Sequence, residues 1–96
     1  MIEIRQISAS DPLQFEVTVR DPGSQTRHRV TVSASDYRKL AGPTACSPEQ
    51  LVKAAFRFLL EREPKESILR RFDLMVIAQY FPEFEERLPG YFSADP

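Results

Sequence analysis

One cysteine, one histidine and three closely spaced glutamates are the first places to look for chemistry in this chain of 96 residues. Cys46 stands one residue before Ser47, and Ser47-Pro48-Glu49-Gln50 reads as a capping box that opens a helix. A thiol there lies at the positive end of the helix dipole, where a thiolate is favoured. The same position suits a small apolar residue packing on the fourth helical residue, Leu51, as a hydrophobic staple. Packing is the expected role. His28 is the sole histidine and asparagine is absent, so no Cys-His-Asn arrangement can be built. His28 supplies one metal ligand at most, and zinc needs several at set spacings. Its parity with Val30 and Val32 turns it towards the interior, as a partly buried structural histidine.

Glu83, Glu85 and Glu86 follow Pro82 in what should be the first turn of a helix, where acidic charge favours the dipole. Glu83 and Glu86 share a helical face while Glu85 points elsewhere, so they do not form an acid-base pair with separated environments. Gly23, Gly42 and Gly90 are far apart, which excludes a glycine-rich phosphate loop. No catalytic residue, cofactor or metal site can be named, and the expectation is a non-enzymatic protein.

Arginine is the remaining chemistry. Arg70 and Arg71, with Lys65 and Arg62, stand beside Phe72, Tyr80 and Phe81. Guanidinium forks suit phosphate or carboxylate, and basic patches interleaved with aromatics bind single strands. The competing reading is a solvated connector whose charges pair with Glu61, Glu63 and Glu66. A second basic group, Arg20, Arg27 and Arg29, falls on polar strand positions near one hairpin end. The balance of 13 basic and 14 acidic residues lacks the excess usual in nucleic-acid binders.

The elements that must carry these residues fall into two halves. Ile2 and Ile4 alternate with Glu3 and Arg5. Leu13, Phe15, Val17 and Val19 alternate with polar residues, and so do His28, Val30, Val32 and Ala34. Period two with one apolar face describes a half-buried antiparallel sheet. Asp21-Pro22-Gly23 supplies the turn of a hairpin between the second and third runs. Ile7 breaks the first alternation, which predicts a bulge or strand end near Gln6.

From Ser35 on, the pattern is helical. Ser35 is the expected cap of a short helix stopped by Gly42-Pro43. The helix opened by Ser47 should run to about Arg62, with apolar residues too widespread for one stripe, so that it packs on two sides. Asp73 could cap a helix carrying Leu74, Ile77, Ala78 and Phe81, and Phe84 and Leu88 continue beyond Pro82. The predicted fold is one α+β domain over residues 1–96. A three-stranded antiparallel meander (1–34) packs against a helical layer (35–92) in two layers.

The apolar share of 42% and charged share of 28% suit a soluble protein. No run of 18 apolar residues is present, so no membrane-spanning helix is expected. The start, Met-Ile-Glu-Ile-Arg, lacks the pattern of a secretory signal, and a lone cysteine forms no intrachain disulfide. The expected compartment is the cytoplasm.

The stretch LLEREPKESILRRFDLMVIAQYFPEFE resembles a group of small bacterial proteins with a β-rich start, a Leu-Leu-Glu-Arg-Glu-Pro run and a Tyr-Phe-Pro end. The match covers about 27 residues closely and the N-terminal half in pattern. The resemblance implies a bacterial cytoplasmic origin and no particular activity. A fainter likeness is to HicB-type antitoxins, in which strands precede helices in a short chain. This chain departs from them in lacking a terminal ribbon-helix-helix or helix-turn-helix segment.

Tyr80, Phe81, Phe84, Tyr91 and Phe92 are more aromatics than the end of a small domain buries easily, and exposed aromatic patches mark contact sites. The expectation is a protein-interaction or regulatory module, monomeric or weakly homodimeric. It would touch an unidentified protein partner through Arg70, Arg71, Tyr80, Tyr91 and Phe92. The alternative is a nucleic-acid-binding regulator using Arg20, Arg27 and Arg29, or Arg70 and Arg71. Ile68, Leu69 and Phe72 have the spacing of one helical turn, which would bury all three and leave Arg70 and Arg71 in solvent.

Overall fold

Alternation puts every second residue of the first three strands on one face, and that face needs a cover. In the computed structural model, which describes residues 1–43 and 46–92, the strands are β1 (Ile2–Ser8), β2 (Leu13–Asp21) and β3 (Ser24–Val32). They form the antiparallel meander, with Phe15 opposite Val30 and Val17 between Ile4 and His28. The register of β1 on β2 shifts between Gln6 and Ser8, which is the expected bulge. At the hairpin, the Asp21 carboxylate accepts from the backbone of Gly23 and Ser24, so the turn is closed by its own first residue.

Among the described residues four α-helices follow: α1 (Ala34–Ala41), α2 (Pro48–Leu60), α3 (Val76–Tyr80) and α4 (Phe84–Arg87), the last running into a 3-10 turn at Leu88–Tyr91. The α1 cap is Ser33, not Ser35. β3 ends at Val32, which leaves Ser33 extended, and its hydroxyl accepts from the Asp36 amide at 3.0 Å. Gly42 ends α1 at φ 57°, a conformation that favours glycine, and its amide reaches the Arg38 carbonyl. The capping box of α2 is complete, Ser47 and Gln50 each accepting from the other's backbone amide.

A fourth strand joins the meander. β4 (Arg71–Asp73) lies parallel to β3, so the sheet is mixed, in the order β1-β2-β3-β4. The expected helical turn through Ile68, Leu69 and Phe72 is replaced by a 3-10 turn at Lys65–Ser67 and this strand. A single helical turn fixes several residues for one hydrogen bond, whereas the open edge of β3 offers ready partners. The Arg29 amide bonds the Arg70 carbonyl, and the Leu74 amide bonds the Thr31 carbonyl. Asp73 therefore ends a strand: its carboxylate accepts from the Thr31 hydroxyl and the Met75 amide.

The core lies between the sheet and α2. Phe15, Val17, Val30 and Val32 are fully buried against Leu51, Val52, Ala55 and Phe56. The opposite side of α2 is covered as well, for Phe58 meets Phe81, Phe84 and Tyr91 edge-on at 5.1–5.9 Å. The expectation that α2 packs on two sides therefore holds. Arg70 and Arg71 are exposed as expected, but Leu69 is exposed too and Phe72 is half-buried. As a strand, the segment turns Phe72 inward beside Phe56 and leaves its edge open.

Urea melts should rank three variants. Phe56→Ala is expected to cost about 3–5 kcal/mol, the value for a fully buried ring, and Phe72→Ala about 2 kcal/mol for a ring half in solvent. The double variant Arg70→Ala/Arg71→Ala should stay within about 0.5 kcal/mol per site. A large loss in the double variant would make the arginines structural.

Candidate functional site

Strand pairing decides which arginines meet. Glu16 on β2 faces Arg5 on one side and Arg29 on the other, and Arg29 faces Arg71 across the parallel pair. One row of the outer sheet face therefore reads Arg5, Glu16, Arg29, Arg71. Arg27 lies two residues from Arg29 on the same face. The two basic groups that the sequence keeps apart, Arg27 and Arg29 on the hairpin and Arg70 and Arg71 on the connector, become neighbours through β4.

Several other charges have partners within the chain, some exposed and some buried. Arg5 pairs with Glu16 at 2.9 Å, and Arg20 bonds Gln25 and lies 3.4 Å from Glu3. Arg62 was expected on the connector surface. It lies instead over the Phe58 ring, 3.6 Å from its centre, bonded to Glu83 and to the Phe58 carbonyl. Lys65 was expected there too, and it is buried, bridging Asp21 at the hairpin turn and Glu66. These hydrogen bonds raise the Lys65 pKa and lower those of Asp21 and Glu66. Among the described residues, Arg27, Arg29, Arg70 and Arg71 make no ion pair.

The other flank of β4 is apolar. Leu69, Phe72, Val76, Ile77, Tyr80 and Phe81 line a groove of about 220 Å³, and Glu63 and Ser67 supply the polar part of its wall. Leu69 is 47% exposed and Tyr80 65% exposed, and both belong to its walls. Tyr80 is thus placed where a partner could reach it. Tyr91 and Phe92 are not in the groove: both are half-buried against the core, and the Tyr91 hydroxyl donates to Glu61 at 2.6 Å. The spacing of Leu69 with Ile68 and Phe72 matches a core helix, so sequence does not mark it as a contact residue.

His28 holds the segment before β4. Its Nδ1 lies 2.8 Å from the Leu69 carbonyl and must donate to it, which leaves Nε2 to accept from the Thr26 hydroxyl at 2.9 Å. The ring is buried and packs on Phe56 at 5.4 Å between centres. Burial pushes its pKa below the ordinary 6.5, with Arg70 adding to the effect and the Leu69 carbonyl opposing it. Cys46 is buried, and burial pushes its thiol pKa up, away from a reactive thiolate. Among the described residues no three of His, Cys, Asp and Glu are grouped so as to hold a metal ion. No helix among them is long and apolar enough to cross a membrane. No family model, curated protein or solved structure matches the chain.

The His28 environment has a measurable pH signature. Its folded pKa is lowered, so as pH falls the unfolded chain takes up the proton first, and stability declines from about pH 6.5 downward until the folded form also titrates. The lowered pKa values of Asp21, Glu66 and Glu83 act in a more acid window, below their ordinary 3.8 and 4.5. Thermal melts between about pH 7.5 and about 5 should show a falling Tm that flattens in His28→Gln. Parallel curves for the two proteins would rule out the histidine as the cause.

Proposed function

We propose that this chain is a non-enzymatic protein-interaction module. Its contact surface is the groove between β4 and α3, and its occupant is a segment of another protein with an apolar anchor and acidic flanks. The observation that carries this reading is the joint exposure of Leu69 and Tyr80 on one apolar groove. Such grooves in small proteins serve as contact sites, and an aromatic at the mouth supplies area at low entropic cost. The acidic flanks would reach past the groove wall to Arg70 and Arg71, which lie outside its lining and have no acidic partner among the described residues. The setting we propose is a bacterial cytoplasm, in keeping with a single cysteine buried as a thiol.

A displayed peptide library tests this. Selection on the folded protein should enrich peptides with an aromatic or branched aliphatic anchor beside Asp or Glu. Leu69→Asp/Tyr80→Ala should weaken the best peptide at least about tenfold, the scale of losing one anchor. Enrichment without that pattern, or binding indifferent to both substitutions, counts against the groove.

A second reading has its own observation, the direct pairing of Arg29 with Arg71. Like charges side by side oppose sheet formation, and a bound anion would relieve the repulsion. A nucleic-acid backbone laid along Arg27, Arg29 and Arg71 would bind with a salt slope of about −2 for three phosphate contacts to a single strand. Gel shifts with generic single-stranded DNA and RNA at low salt should then be lost in the triple alanine variant. No shift at micromolar protein would remove this reading.

A further inference from the structure

We infer that β1 is a self-complementary edge that pairs antiparallel with β1 of a second copy of this chain about a two-fold axis through Ile4. Among the described residues, no strand pairs with the other side of β1. Which backbone groups face outward is fixed by the Met1–Arg20 pair. The Met1 nitrogen donates to the Arg20 carbonyl at 2.7 Å, and the Arg20 amide donates to the Met1 carbonyl at 2.8 Å. Alternation then turns the backbone groups of Glu3 and Arg5 towards β2, and those of Ile2, Ile4 and Gln6 away from the molecule. The regular stretch runs from Ile2 to Gln6, where the register shifts, so Ile4 is its centre.

A two-fold axis at Ile4 sets Ile4 opposite Ile4, and Ile2 opposite Gln6, of the second copy. All are residues whose free N–H and C=O point outward, so they form the hydrogen-bonded pairs. Glu3 then lies opposite Arg5 of the second copy, twice by symmetry, in the non-hydrogen-bonded positions where Cα atoms approach to about 4.5 Å. Other registers fail. A shift of one residue sets outward-facing backbone groups against inward-facing ones. A shift of two sets Glu3 against Glu3, or Arg5 against Arg5, and like charges directly opposite oppose pairing. The same symmetry sets Met1 at the end of the ladder, beside the bulge that carries Ile7 of the second copy. These are two of the large apolar residues exposed in this structure, at 76% and 41%.

The pairs that Glu3 and Arg5 make within the chain, with Arg20 and Glu16, are at exposed positions and hold them weakly. An isologous contact of this kind would extend the four-stranded sheet into one continuous sheet of two copies. Charge complementarity in a single permitted register is what selects a second copy over an unrelated strand. The bulge after Gln6 limits the ladder to the short regular stretch, so the association is weak and concentration-dependent.

Sedimentation from micromolar to millimolar protein tests the assignment. The wild type should shift from monomer to dimer. Glu3→Arg and Arg5→Glu, each turning two attractive pairs into repulsive ones, should raise the dissociation constant about tenfold. The double variant Glu3→Arg/Arg5→Glu restores opposite charges and should return to within about threefold of wild type. Amide exchange gives an independent reading. The Ile4 and Gln6 amides of the wild-type chain should gain protection with concentration, while those of Glu3 and Arg5, bonded to β2, should not. A monomer at all concentrations overturns the proposal. So does a dimer insensitive to the single swaps, a failed rescue in a folded double variant, or Ile4 exchange independent of concentration. Should a swapped variant not fold, the wild-type exchange pattern alone decides.

Discussion

Phe56 and Phe58 are two residues apart on α2, so their rings leave the helix in different directions. Phe56 packs on His28 and Phe72 beneath the sheet, and Phe58 takes the edges of Phe81, Phe84 and Tyr91 from the C-terminal segment. One helix thus serves as the common wall of both halves of the core. The sheet needs α2 to bury Phe15, Val17 and Val30, and the short α3 and α4 have too few turns to persist without Phe58 to pack on.

That arrangement also sorts the charges. Residues next to the α2 wall are drawn into it: Arg62 stacks on Phe58 and bonds Glu83, and Lys65 ties the hairpin turn to the chain leaving α2. Their long stems cover apolar surface while their heads find partners, which is how a cationic residue is tolerated below the surface. Arg27, Arg29, Arg70 and Arg71 sit on or beside the uncovered side of the sheet, and none of them makes an ion pair among the described residues. Which arginines find partners depends on what the fold brings beside each, and their sequence spacing does not reveal it.

The two sheet edges are handled differently. β4 is three residues long, ends in the Asp73 side-chain bonds, and is followed at once by the groove and α3. β1 is seven residues long, without proline, and carries an opposite-charge pair on its outer positions. Short edges and inserted bulges are the usual defences against uncontrolled pairing. Here β4 has the first, and β1 has the second only after Gln6. Its charges do not prevent pairing with a like strand; they restrict it to one register.

Local patterns were legible in the sequence. Alternation in the first 32 residues marked three strands and their inward faces, including that of His28, and the Asp-Pro-Gly turn marked the hairpin. The Ser47 capping box and the Gly42 stop depend on backbone geometry within a few residues, so they were readable too. The Ser33 cap was missed by two residues because where β3 stops, and not serine spacing, decides which serine is extended. β4 was not legible at all. Arg71-Phe72-Asp73 has no strand pattern of its own, and its conformation comes from the open edge of β3, some 40 residues earlier in the chain. With it went the exposure of Leu69, the groove beside Tyr80 and the meeting of Arg29 with Arg71. Propensity and periodicity act over one or two turns of chain, and they determined the elements. The candidate surfaces arise where an unpaired edge captures a distant segment, and long-range pairing of that kind exists only in the folded molecule.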